Sequence, residues 1–127
     1  KILQDEHGVA ADVWSVTSYA ELARDGEARL EAWRNSSSAQ ALQPGWFAQQ
    51  LAATQGPVIA ASDYVRALPE LVRAYLPCDE RGLPRQRYYT LGTDGFGRSD
   101  SRSALRRHFA VDAQAIVQTY VRSQMTP

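Results

Sequence analysis

The part of this 127-residue chain richest in chemistry is residues 92–102. Gly92, Gly95 and Gly97 follow an apolar, β-type stretch and precede Ser99, Asp100 and Ser101, all competent helix N-caps. A strand that ends in glycines and opens a helix is the geometry that cradles phosphate, because backbone N–H groups and the helix dipole converge on one point. The spacing here is G-x-x-G-x-G, which is neither the dinucleotide fingerprint G-x-G-x-x-G nor a P-loop ending in Gly-Lys-Ser/Thr. Asp94 and Asp100 would also flank the anion. The residues favour a structural turn that lets the chain pass closely under a neighbouring surface. Arg98, Asp100 and Arg102 suit charge-assisted pairing across an interface. The plainer alternative is a solvated helix start with local ion pairs of small worth.

Other reactive side chains do not form a constellation. His7 and His108 are separated by most of the chain, and neither lies in an H-x-x-x-H or H-E-x-x-H pattern, so no metal site is indicated. Cys78 sits in a proline-flanked charged loop without a histidine partner, which argues against a nucleophile. A single cysteine also excludes an internal disulfide and any multi-thiolate metal centre. Trp14, Trp33 and Trp46 are expected as core or interface anchors rather than ligand-stacking platforms.

The elements that must position these residues are those of one domain, taken as residues 1–127. Lys and Arg number 14, Asp and Glu number 14, and this balance removes the electrostatic basis for nucleic-acid binding. No apolar run approaches the roughly 20 residues that span a bilayer, and the first residues carry no signal-peptide pattern, so membrane insertion and secretion are not expected. Ile2 and Leu3 followed by Gly8 read as the last turns of a helix with a glycine C-cap. Residues 12–17 alternate polar and apolar with β-branched residues, a strand signal. Ser18 and Glu21 have the spacing of a capping box, so a helix should open there, cross Gly26 and end near Arg34.

Pro44 fits the first turn of a short helix carrying Trp46, Phe47 and Leu51, stopped by Gly56-Pro57. Residues 58–62 lack polar alternation, as expected of a parallel strand covered on both faces. Tyr64, Leu68, Leu71 and Tyr75 then share one helical face with Val65 and Val72 beside them, and Pro69 should kink that helix or start its main segment afresh. Residues 77–85 read as a surface loop and 87–91 as a strand. Two helices follow, one burying Leu105 and Phe109, the other capped by Asp112 and presenting Ala113, Ile116, Val117, Tyr120 and Val121. Strands alternating with helices make an α/β layered sheet.

Several strings resemble a known family. D-V-W-S-V-T-S-Y (12–19) running into E-L-A-R-D-G (21–26), and T-D-G-F-G-R-S-D-S-R (93–102), are similar to the C-terminal domain of the homodimeric bacterial pyruvate dehydrogenase, the thiamine-dependent first component of its complex. The likeness continues through Leu105-Arg106, His108-Phe109 and Val111-Asp112, with a fainter copy at A-A-S-D-Y (60–64), and covers most of residues 8–115. It departs at residues 35–45 and 118–127.

This resemblance implies a transketolase-like C-terminal domain, a three-layer α/β/α sandwich on a mostly parallel sheet. It lacks here its first parallel strand, which in the family lies between 12–17 and 58–62. It implies thiamine diphosphate and magnesium in the full-length enzyme and none bound by this piece. The diphosphate and metal motif belongs to the N-terminal domain and the activating glutamate to the middle domain. No catalytic, cofactor or metal residue carries over to any position here. Implied partners are a second copy of the subunit, the N-terminal and middle domains of its own chain, and a dihydrolipoyl acetyltransferase core, in the bacterial cytoplasm. Asp94, Phe96, Arg98, Ser99, Asp100 and Arg102 are the interface candidates. The alternative function is a stand-alone interaction or anion-binding module on the same α/β fold.

Overall fold

A computed structural model describes residues 1–39, 41–94, 101–108 and 111–125. Helix α1 (Ile2–His7) ends at Gly8, whose φ of 65° takes the left-handed turn that glycine adopts without strain. Helix α2 (Tyr19–Arg34) opens where Ser18 Oγ accepts from Glu21 N–H at 3.2 Å. The glutamate half of the capping box is used differently, since its carboxylate pairs with Arg24. Gly26 does not interrupt α2. Helix α3 (Trp46–Leu51) starts two residues after Pro44, with Gly45 as N-cap.

Strands β1 (Val58–Ala61) and β2 (Tyr88–Leu91) pair in parallel, with Val58 opposite Tyr88 and Ala61 opposite Leu91. Between them come helix α4 (Ala67–Glu70), a 3-10 turn (Arg73–Tyr75), and residues 77–85, where Cys78 bridges Pro84 and Asp79 Oδ1 accepts from the N–H groups of Arg81 and Leu83. Helix α5 (Arg102–His108) and helix α6 (Ala113–Met125) complete the chain. Asp112 caps α6 as expected, accepting from Ala115 N–H at 2.9 Å.

Two expectations are corrected. Residues 12–17 form no strand. They lack a backbone ladder among the described residues, and Val13 is 93% exposed, because alternation alone makes no strand without a partner to bond. The amphipathic helix expected through 64–75 is split into α4 and the 3-10 turn. The helix opens only at Ala67, because Pro69 inside α4 offers no N–H and the residues before α4 are tied in turns, Tyr64 N–H to Ser62 Oγ at 3.0 Å and Arg66 N–H to Asp94 Oδ1 at 2.8 Å. It ends after Glu70, where Leu71 N–H turns back to the Leu68 carbonyl. The face consequently turns: Val72 is 0% exposed while Tyr64 and Leu71 face solvent.

Side chains alternate across β2. Tyr88, with Val58 and Ala60 on β1, packs into the core with Leu51, Val72 and Leu76, against Tyr19, Leu22 and Phe47. Arg87, one position earlier, sends Nη1 to the carbonyl of Ser123 on α6 at 2.9 Å. Helices α2 and α3 thus lie on one face of the pair and α6 on the other, the α/β/α layering expected. Both strands are half-buried rather than fully covered, Tyr88 excepted.

Tyr88 is fixed on every side. Its ring meets Phe47 edge-on at 6.3 Å, its hydroxyl donates to the Pro69 carbonyl at 2.6 Å, and the Arg73 guanidinium lies 5.1 Å over its face. Arg73 also grips both carboxylate oxygens of Glu70 at 2.6 and 2.8 Å, and Thr90 Oγ1 donates to the same carboxylate. These hydrogen bonds, Arg73 first, hold the Glu70 carboxyl down to about 2.

Two outcomes follow for solution. Because folding lowers the Glu70 carboxyl below its ordinary 4.5, its stabilisation is complete above that pH and is lost as pH falls through about 2. Glu70→Gln should flatten the acid-side decline of stability, read by denaturant unfolding at about pH 3 and pH 6; an unchanged decline refutes the role. A two-stranded sheet is marginal by itself, and the outer edge of β1 carries no ladder among the described residues. The purified 127-residue chain should therefore self-associate or unfold readily, whereas sedimentation as a compact monomer with a sharp, concentration-independent transition would contradict this.

Candidate functional site

In open α/β sheets, ligands bind in the crevice beyond the carboxyl ends of the strands. Here those ends are joined by the protein itself. Ser62 N–H donates to the Leu91 carbonyl at 2.9 Å, Thr93 N–H to the Tyr64 carbonyl at 2.8 Å, and Thr93 Oγ1 to the Asp63 carbonyl at 2.7 Å. Gly92 lies against the Arg66 backbone so closely that a Cβ would stand 2.4 Å from the Arg66 nitrogen. The first glycine is therefore a packing turn, as the spacing suggested. The Thr93 amide is committed to a carbonyl, and the Asp94 carboxylate occupies the next donor, so the described part of this loop does not cradle an anion.

The interface candidates fall into two groups. Asp94 caps Arg66 N–H through Oδ1, and its Oδ2 stands 3.7 Å from Arg66 Nε, beside a shallow groove of about 450 Å³ lined by Arg66, Ala67, Glu70, Leu71 and Asp94. Arg102 opens α5, its side chain 81% exposed and 3.7 Å from the Asp63 carboxylate. Phe96, Arg98, Ser99 and Asp100 lie outside the described residues. Of the N-cap candidates, Ser101 Oγ accepts from Ala104 N–H at 3.3 Å.

His7 and His108 are exposed helix ends, and Cys78 is exposed with its thiol donating to the Leu76 carbonyl at 3.3 Å. Trp14, Trp33 and Trp46 are each about half exposed, so none is a core anchor. No group of three or more His, Cys, Asp or Glu among the described residues could hold a metal ion. The described donors do not fit a magnesium-bound diphosphate.

Residue composition did not single out Asp25 and Gly26, yet they join α2 to its neighbours. Asp25 Oδ2 accepts from Trp46 N–H at 2.6 Å, capping α3 from another helix where Gly45 has no side chain to do so. Gly26 receives the Tyr75 ring, and Tyr75 hydroxyl donates to Glu27 at 2.9 Å. Tyr75 and Arg34, both bonded to that carboxylate, hold it below its ordinary range. The signal was their place at the end of E-L-A-R-D-G.

The transketolase-like C-terminal domain model matches residues 1–112. The chain belongs to that family. Over 117 residues it is 44% identical to the pyruvate dehydrogenase E1 component of Escherichia coli K12 and 43% to that of Pseudomonas aeruginosa, and over 116 residues 45% to that of Mycolicibacterium smegmatis. These alignments cover 91 or 92% of the chain and 12% of each relative. The transketolase-like chain thus corresponds to a small C-terminal part of those subunits.

Close contact makes both glycines testable. Alanine is favoured over glycine inside a helix by about 0.5–1 kcal/mol, but a Cβ at Gly26 would enter the Tyr75 ring at 2.4 Å. Overpacking costs about 1–3 kcal/mol, so Gly26→Ala should destabilise on balance. Gly92→Ala should do so more strongly, since it meets backbone rather than a side chain. Denaturant midpoints at or above wild type would show that neither approach is tight.

Proposed function

We propose that this chain serves as the C-terminal framework and dimer-interface part of a bacterial pyruvate dehydrogenase E1 component, residues 1–127 forming one partial domain. The observation that carries this reading is 44% identity over 92% of the chain to a subunit of that name. The whole subunit would decarboxylate pyruvate on thiamine diphosphate with magnesium and pass the acetyl group to lipoyl groups of a dihydrolipoyl acetyltransferase core, in the cytoplasm. This piece would support the N-terminal and middle domains of its own subunit and meet a second copy, with Arg98 and Asp100 at or near the contact. A framework role is supported by the crevice at the carboxyl ends of β1 and β2, which is filled by the chain's own residues.

Calorimetry of the chain alone with thiamine diphosphate and magnesium is expected to give no binding, and tight magnesium-dependent binding would defeat the reading. In the full-length subunit, Arg98→Ala should weaken assembly, because removing one partner of a desolvated charged pair costs about 3–5 kcal/mol. Unchanged dissociation of the subunits would return Arg98 to a solvated helix start.

A further inference from the structure

Thr93 and Asp94 open the string that carries the strongest family likeness, and Ser62, Asp63 and Tyr64 close the fainter copy. The fold sets the two strings against each other at the carboxyl ends of the parallel strands. Asp94 can act there in two chemically distinct ways. As a charge it faces Arg66 Nε at 3.7 Å, with both side chains more than half exposed, an arrangement of small effect. As an acceptor it takes Arg66 N–H at 2.8 Å, at the N-cap position of α4, where the N-cap residue makes no side-chain cap of its own. Thr93 reinforces the same junction by bonding two carbonyls of 63–64, and Gly92 lies flush on the Arg66 backbone.

We infer that Asp94 is a positioning residue that works as a hydrogen-bond acceptor and not as a charge. It pins the point where the chain leaves β2 to the turn that follows β1, and assembly of the subunit depends on that fixed departure. The inference rests on the interface reading proposed above.

An asparagine keeps the accepting Oδ1 and loses the charge, whereas alanine loses both. In the full-length subunit, hydrogen exchange at the Arg66 amide and subunit dissociation by sedimentation are measured for Asp94→Asn, Asp94→Ala and Arg98→Ala. Asp94→Ala should speed Arg66 exchange and weaken assembly roughly fivefold each, while Asp94→Asn stays within about twofold of wild type. Asparagine as damaging as alanine would overturn the inference, because charge would then be the operative property. So would an Arg66 amide that exchanges no faster in Asp94→Ala. Faster exchange with unmoved dissociation overturns the positioning role as well, and Arg98→Ala then separates the two ideas. If it too assembles normally, the interface reading has failed; if it dissociates more readily, that reading stands without Asp94.

Discussion

The burial of one phenol organises this fold. Tyr88 sits on a strand, so its ring must enter the layer beneath, and its hydroxyl cannot be left there without a partner. Pro69 has no N–H to give but keeps a carbonyl, and the Tyr88 hydroxyl takes it. Burial pushes the phenol far above its ordinary range, so it remains neutral and a donor. Arg73 covers the ring, donates to the Tyr88 carbonyl at 2.9 Å, and grips Glu70, to which Thr90 also bonds. One face of β2 therefore captures the whole segment from 69 to 73. A helix continuing past Glu70 would present a different set of groups, so the break between α4 and the 3-10 turn and the capture by Tyr88 belong together.

The second tie lies at the other end of the strands. Parallel strands deliver both of their carboxyl ends to one edge of the sheet, which makes that edge the natural place for a ligand crevice. This chain places Gly92 and Thr93 there instead, and they close the gap with backbone bonds to 63–64 and close contact with Arg66. Joined in this way, the described part of the edge is a fixed point from which further chain departs. That edge is the physical basis of the framework role proposed above.

Much of this was legible in the sequence where the determinant is local. Gly8, Ser18 and Asp112 act within a few residues of themselves, and each ends or begins a helix as its type requires. β1 and β2 were legible from their apolar runs, and the Gly92 turn from glycine spacing. What failed was non-local. The alternation at 12–17 is a real β preference, but a strand exists only with a ladder, and none forms among the described residues. The 64–75 periodicity is also real, yet distant carbonyls and carboxylates claimed its polar groups. Asp25 was illegible as a cap because the N–H it satisfies is 21 residues away.

Magnitudes explain why shape rather than charge distinguishes the described half of the glycine segment. The ion pairs of Asp94 with Arg66 and of Arg102 with Asp63 are both 3.7 Å long and solvent-exposed, a class worth about 0–1 kcal/mol. The caps that close the same junction are worth about 1 kcal/mol each, and a side chain forced into the Gly92 contact would cost about 1–3 kcal/mol. Substitutions that preserve charge but change shape therefore disturb this edge more than the reverse. The threonine, aspartate and glycine there act through a hydroxyl, an acceptor oxygen and a missing Cβ, each bonding or yielding to the backbone of 63–66, so the two similar strings are halves of one structural joint.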